Sequence, residues 1–354
     1  MRQQTLFHQG MAGYAFFRIP ALIALPGRRV IAFCEGRRDS MADYGAIHVV
    51  MRASGDGGAT FGPLQVVADA KEHTMGNPCP VFDKNTSRLH LLFNGNRKDG
   101  GEGLILQGRA PRSVLHMFSD DLGQTWSNPR DITAQVKKDN WTWYACGPCH
   151  GAQLNGGRLI IPCNHAVLKT GEAASGPYIS HAIYSDDGGQ TWQIGGDVGE
   201  YTNECALGEL PDGRVYINMR SYHGKSCRAA ALSKDQGQTW QGLHLDEALI
   251  EPVCQGSVLS LPSFGRLGEP ALLFSNPAHR EQRQNLRLRL SRDGGQTWSK
   301  GVLIHPGPAA YSDLAPLPDG SIGCLYEGGT QHAYEGIHWQ VLSAGEIERD
   351  EGGG

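Results

Sequence analysis

Ser291-Arg292-Asp293-Gly294-Gly295-Gln296-Thr297-Trp298 is the stretch on which the reading of the fold turns. Its pattern, Ser-x-Asp-x-Gly-x-Thr-Trp, returns in full at Ser119–Trp126, Ser185–Trp192 and Ser233–Trp240. Ser54–Phe61 keeps it with Phe in place of Trp. Five copies, roughly 50 to 65 residues apart, mark a repeat protein. The physics of the unit is that of a turn. Ser and Asp side chains bond nearby backbone amides, and Gly takes positive φ at little steric cost. The aromatic then leaves the turn as an apolar plug. Apolar or alternating runs precede the copies (Leu115–Phe118, His181–Tyr184, Leu286–Leu290) and another short strand follows, which predicts one hairpin corner per sheet.

The rest of the composition agrees with an all-β chain. The 354 residues include 48 Gly and 19 Pro, which suits many short strands joined by turns. No long amphipathic helix stands out. The net charge of −4 argues against a nucleic-acid partner. No apolar run approaches 18 residues, so no membrane helix is expected. The first ten residues, MRQQTLFHQG, carry no apolar core of a signal peptide. A cytoplasmic location is therefore expected, or a secreted or periplasmic one if a leader has been removed. The nine Cys are scattered, and Cys146-Gly147-Pro148-Cys149 has no second pair to suggest a metal or redox site. Reduced thiols are the simpler reading.

The repeat resembles the Asp-box of the sialidase superfamily, and Phe17-Arg18-Ile19-Pro20 resembles that superfamily's early signature. The resemblance runs from Phe17 to Glu335. It implies a six-bladed β-propeller, with the Asp-box at the turn between the outer two strands of a blade and away from the active site. One catalytic domain over residues 1–349 is expected, with 350–354 as a flexible tail.

The resemblance also assigns roles. Arg18, Arg220 and Arg283 match the three arginines that grip the sialic acid carboxylate; Arg280 is the alternative to Arg283. Asp43 matches the acid/base, with Asp39 as its competitor. Glu204 matches the carboxylate that activates the nucleophile. Tyr326 matches that nucleophile, and Tyr311 is read as structural. Arg37, Met75 and Asn77 are expected in the substrate pocket, the latter two near the C5 substituent. Glu335 would orient Arg18. Trp141–Tyr144 are candidates for sugar contact, and Asn164 and His165 for the glycerol tail.

The chemistry suits these residue types. Sialic acids carry a carboxylate on the anomeric carbon, and arginine offers fixed charge and planar donors to such an anion. A second carboxylate would meet repulsion there, whereas a phenol is neutral before it reacts. A tyrosine nucleophile with a carboxylate partner is the known exception among retaining glycosidases. No metal or cofactor is required, and sialylated glycans are the expected partners. The sequence also admits three rival readings: a trans-sialidase, a hydrolase for another nonulosonic acid such as the deaminated one, and a sugar-binding propeller without turnover.

Overall fold

The computed structural model describes residues 3–168 and 175–349. The chain opens with β1 (Gln3–His8), whose partner lies at the other end of the sequence. It then winds through repeated antiparallel sheets. Blade one holds β2 (Phe16–Leu25), β3 (Arg29–Arg37), β4 (Ile47–Ser54) and β5 (Gln65–Ala68). Blade two holds β6 (Thr74–Asp83), β7 (Arg88–Asn96), β8 (Arg112–Ser119) and the short β9 (Arg130–Asp131). In blade three the inner edge is split into β10 (Trp141–Cys146) and β11 (Ala152–Gln153), followed by β12 (Leu159–Leu168), β13 (Ser175–Ser185) and β14 (Gln193–Glu200). Blade four is β15 (Thr202–Glu209), β16 (Val215–Ser221), β17 (Cys227–Ser233) and β18 (Gln241–Ile250).

Blades five and six share a strand. β19 (Ser257–Phe264), β20 (Glu269–Pro277), β21 (Gln284–Ser291) and the first half of the long β22 (Val302–Pro316) form blade five. The second half of β22, from Ala309 on, begins blade six and pairs with β23 (Ile322–Gly328), which pairs with β24 (Gly336–Leu342). β1 supplies the fourth strand, paired from Gln3↔Gln340 to His8↔Gly336 with a register shift between Thr5 and Phe7. The six-bladed β-propeller is thus closed by β1, and closure leaves only short, protected sheet edges.

The five Asp-boxes occupy the turns between the third and fourth strands of blades one to five. In Ser291–Trp298, Ser291 Oγ donates to Asp293 Oδ1 (2.8 Å) and accepts from Gly295 N (2.9 Å). Thr297 donates to the same carboxylate through N (2.9 Å) and Oγ1 (2.5 Å). Blade six has no box because its third and fourth strands, β24 and β1, are not consecutive in the chain.

The box aromatics reach back to the preceding blade. Trp126 meets Phe33, Trp192 meets His116, and Phe61 meets Trp339, with ring centroids 6.0, 5.7 and 5.5 Å apart. The hydrophobic core follows the same plan. Six clusters each straddle one pair of adjacent blades, as where Phe33 and Met51 of blade one pack with Leu91 and Phe93 of blade two.

The inner strands run in parallel directions around the axis, so their first residues converge on one face. Among the described residues, no helix is long and apolar enough to cross a membrane. α1 (Glu102–Leu106), one of three short α-helices there, sits beside that face.

Candidate active site

A cavity of about 210 Å³ opens where the inner strands begin. Its first wall is set by Arg18 on β2. A guanidinium in an apolar strand needs a partner, and this one donates through Nε (2.9 Å) and Nη2 (3.2 Å) to Glu327. Glu327 is fully buried and also accepts from Ile19 N (2.8 Å) and Tyr311 N (3.2 Å). The first of these bonds holds Ile19 at φ 61°, a region that β-branched residues rarely adopt. The strand bulges there, between Arg18 and Ala21, which re-aims the arginine into the cavity.

Tyr311 lies at the centre of the site. Its hydroxyl donates to Glu204 Oε1 at 2.5 Å, and Arg220 Nη1 reaches Glu204 Oε2 at 2.8 Å and the Tyr311 hydroxyl at 3.4 Å. Two further guanidinium groups face its ring, Arg18 at 5.2 Å and Arg283 at 5.6 Å from the centroid. Arg283 donates to the Tyr334 hydroxyl (2.9 Å) and to Val253 O (3.3 Å). The Tyr334 ring in turn lies 4.2 Å from the Arg18 guanidinium. Burial first, then the Glu204 carboxylate, pushes the Tyr311 phenol well above its ordinary range, while Arg220 and Arg283 pull it back.

Asp43 stands at the rim of the cavity, in the loop after β3. Arg37 Nη2 lies 2.7 Å from its Oδ1 and Arg18 Nη1 3.9 Å away. Burial pushes its carboxyl up, but the two guanidinium groups outweigh burial and hold it below the usual range. More than half of the side chain still faces open space, at 59% exposure, so a reaction partner can reach it. Arg37 is braced by Glu35 (2.6 and 3.0 Å), and Glu35 also accepts from Asn77 N (2.8 Å).

The structure therefore brings together Arg18, Arg37, Asp43, Asn77, Glu204, Arg220 and Arg283, all of which line the cavity. It separates others. Met75 points into the core between blades one and two, while its neighbour Thr74 lines the cavity, as strand alternation requires. Asp39 and Arg280 are exposed and line no part of the cavity. Asn164 and His165 are fully buried within blade three, and of the 141–144 aromatics only Trp143 reaches the cavity.

Two assignments need correction. Tyr326 is fully buried in the cluster between blades five and six, packed against His305 and His338. It sits on β23, the second strand of its blade, whereas the axis is lined by the first strand, β22, which carries Tyr311. Glu335 does not reach Arg18. It folds back on its own loop and accepts from the amides of Thr330, Gln331 and His332 (3.0, 2.6 and 3.0 Å), which hold its carboxyl down at about 2. The carboxylate on Arg18 is Glu327. Glu335 instead ties together the loop that carries Tyr334.

Comparison with known proteins agrees with this geometry. Residues 29–324 match the BNR repeat-like domain family. Sialidase-3 of Homo sapiens is 34% identical, over 94% of this chain and 90% of its own. The sialidase of Micromonospora viridifaciens is 33% identical over 94% of this chain, which spans 53% of the bacterial protein. Among solved structures, the Hadza microbial sialidase Hz136 superposes with a TM-score of 0.88 at 26% identity, covering 98% of this chain and 69% of that one. With near-complete coverage by curated sialidases above 30% identity, on a six-bladed propeller whose cavity gathers the expected arginines, the chain belongs to the sialidase family, as an exo-α-sialidase among the glycoside hydrolases.

Proposed function

We propose that the chain hydrolyses terminal α-linked sialic acids with retention of configuration, using Tyr311 as the nucleophile. The observation that carries this reading is the Tyr311 hydroxyl, 2.5 Å from Glu204 and surrounded by three guanidinium groups. Arg18, Arg220 and Arg283 bind the substrate carboxylate, which sets the anomeric carbon over Tyr311. The phenol attacks that carbon as Glu204 accepts its proton. Asp43 protonates the departing oxygen, and the C–O bond to the aglycone breaks. In the second step Asp43 takes a proton from water, which displaces Tyr311, and Glu204 returns the proton to the phenolate. Two displacements at one carbon give retention.

The test is hydrolysis of an aryl α-sialoside by Tyr311→Phe and Tyr326→Phe side by side. Tyr311→Phe is expected to lose at least about 1,000-fold in kcat, and Tyr326→Phe to stay near wild type. The reverse pattern would return the role to Tyr326. Adding lactose to the same assay and analysing the products separates hydrolysis from transfer to a sugar.

A further inference from the structure

The cavity wall across from the arginines comes from blades two and three, and among the described residues its one lining cation has had no role so far. Arg112 opens β8, is 3% exposed and lines the cavity. Its Nη2 donates to Asn77 Oδ1 (2.6 Å), its Nη1 to Asn96 Oδ1 (2.6 Å) and its Nε to Tyr144 O (2.5 Å). Its guanidinium lies 4.2 Å from the Trp143 ring centroid. We infer that Arg112 is a positioning residue that selects the substituent at C5 of the sugar by fixing the orientation of the Asn77 amide. This rests on the carboxylate-binding reading above.

Ring geometry supplies the first link. The carboxylate on C2 is held by blades one, four and five, with Tyr311 from blade six beneath it. In a six-membered ring the atom across from C2 is C5. The blades across the axis from five and six are two and three. The C5 substituent therefore faces Asn77 and Arg112 of blade two and Trp143 and Ala145 of blade three, all of which line the cavity.

The second link is a donor left over. A guanidinium only donates, so Arg112 fixes the oxygen of Asn77 toward itself and turns the amide nitrogen away. The Asn77 backbone is held as well, at φ 54° with its N–H on Glu35. Among the described residues no acceptor pairs with Asn77 Nδ2, although the side chain is nearly buried at 9% exposure. A nearly buried amide donor beside an indole and a methyl matches an acylated amine, whose carbonyl accepts and whose alkyl end packs. A hydroxyl at C5 is shorter and brings no apolar end. Without Arg112 the amide could flip and present its oxygen to that carbonyl.

The experiment measures kcat and KM for two aryl α-sialosides, one acetamido and one hydroxyl at C5. The proteins are wild type, Arg112→Met, Arg112→Lys, Asn77→Asp and the Arg112→Met/Asn77→Asp double variant. Asn77→Asp keeps the acceptor for Arg112 but removes the donor, so it carries the test even if Arg112→Met does not fold. Arg112→Met and Asn77→Asp are each expected to lose roughly 10- to 100-fold in kcat/KM on the acetamido substrate, mostly through KM, and under about 3-fold on the hydroxyl one. Arg112→Lys should recover part of the loss, and the double variant should match the singles. Equal losses on both substrates, or losses that multiply in the double variant, would overturn the positioning role. A wild-type protein that cleaves neither substrate would instead overturn the hydrolase reading, and this inference with it.

Discussion

Glu327 shows how one side chain can set a site. Its two oxygens hold the guanidinium of Arg18, the strained amide of Ile19 and the amide of Tyr311. Removing one partner of a buried ion pair costs about 3–5 kcal/mol. Glu327→Ala is expected to lower the melting temperature and to weaken binding of a planar sialic acid analogue by at least about 10-fold; calorimetry on the folded variant checks both, and unchanged affinity would remove Glu327 from the positioning of Arg18. Asp43 carries a second expectation. Its carboxyl is held down by Arg37 and Arg18 in the free protein. A bound carboxylate occupies Arg18 and adds negative charge, so substrate raises Asp43 toward the protonated form that a general acid needs. The alkaline limb of the kcat profile should therefore lie at higher pH than that of kcat/KM, which reports the free enzyme. Coincident limbs would count against Asp43 as the acid. Arg18, Asp43, Glu204 and Arg220 were legible in the sequence through the resemblance of their segments to sialidase motifs, and all four line the cavity. Arg112 was not, because nothing near it in sequence hints that Asn77, Asn96 and Tyr144 O surround it.

The Asp-box is the element that sequence describes best, since its bonds are all local. Its contact with the preceding blade is not local and was hidden. A Cβ on Gly189, at φ 78°, would lie 2.3 Å from His90 Cε1, and one on Gly58 would lie 2.4 Å from Trp339. Gly189→Ala is expected to cost about 2–4 kcal/mol, from backbone strain and overpacking together. Specific activity of the folded fraction should be unchanged, which denaturant melts beside active-site titration can check. The choice between the late tyrosines is also made at this scale. Tyr311 and Tyr326 both stand on late strands, and which strand lines the axis depends on where β1 docks. β1 takes the outer place of blade six, so β22 becomes the inner strand. That is decided by a pairing across the whole length of the chain, which no local pattern reports.

At the scale of the molecule, stability resides between blades rather than within them. Two histidine pairs lie in these seams and sheets. His90 and His116 share a hydrogen bond of 2.9 Å beneath Trp192, and His165 stacks 3.5 Å from Trp141 while bonding His181 at 3.1 Å. Burial holds them neutral, with His90 down at about 4 and His116 and His165 at about 3. The unfolded chain binds protons near pH 6.5. Folding stability from these groups is therefore complete above about pH 6.5 and is lost as pH falls toward about 3–4. Melting temperatures across that range should fall, and less so in a His90→Gln/His116→Gln variant; an identical slope would clear the pair of responsibility. The closure by β1 has a further consequence, in time rather than space. Arg18 and Glu327 are separated by 309 residues, and β1 must wait for β24 to be made before it finds its edge. A ribosome-bound chain short of β23 can hold five sound hairpin corners and still have no ring. In such a chain Arg18 has no carboxylate, and it gains one only when blade six comes round to meet blade one.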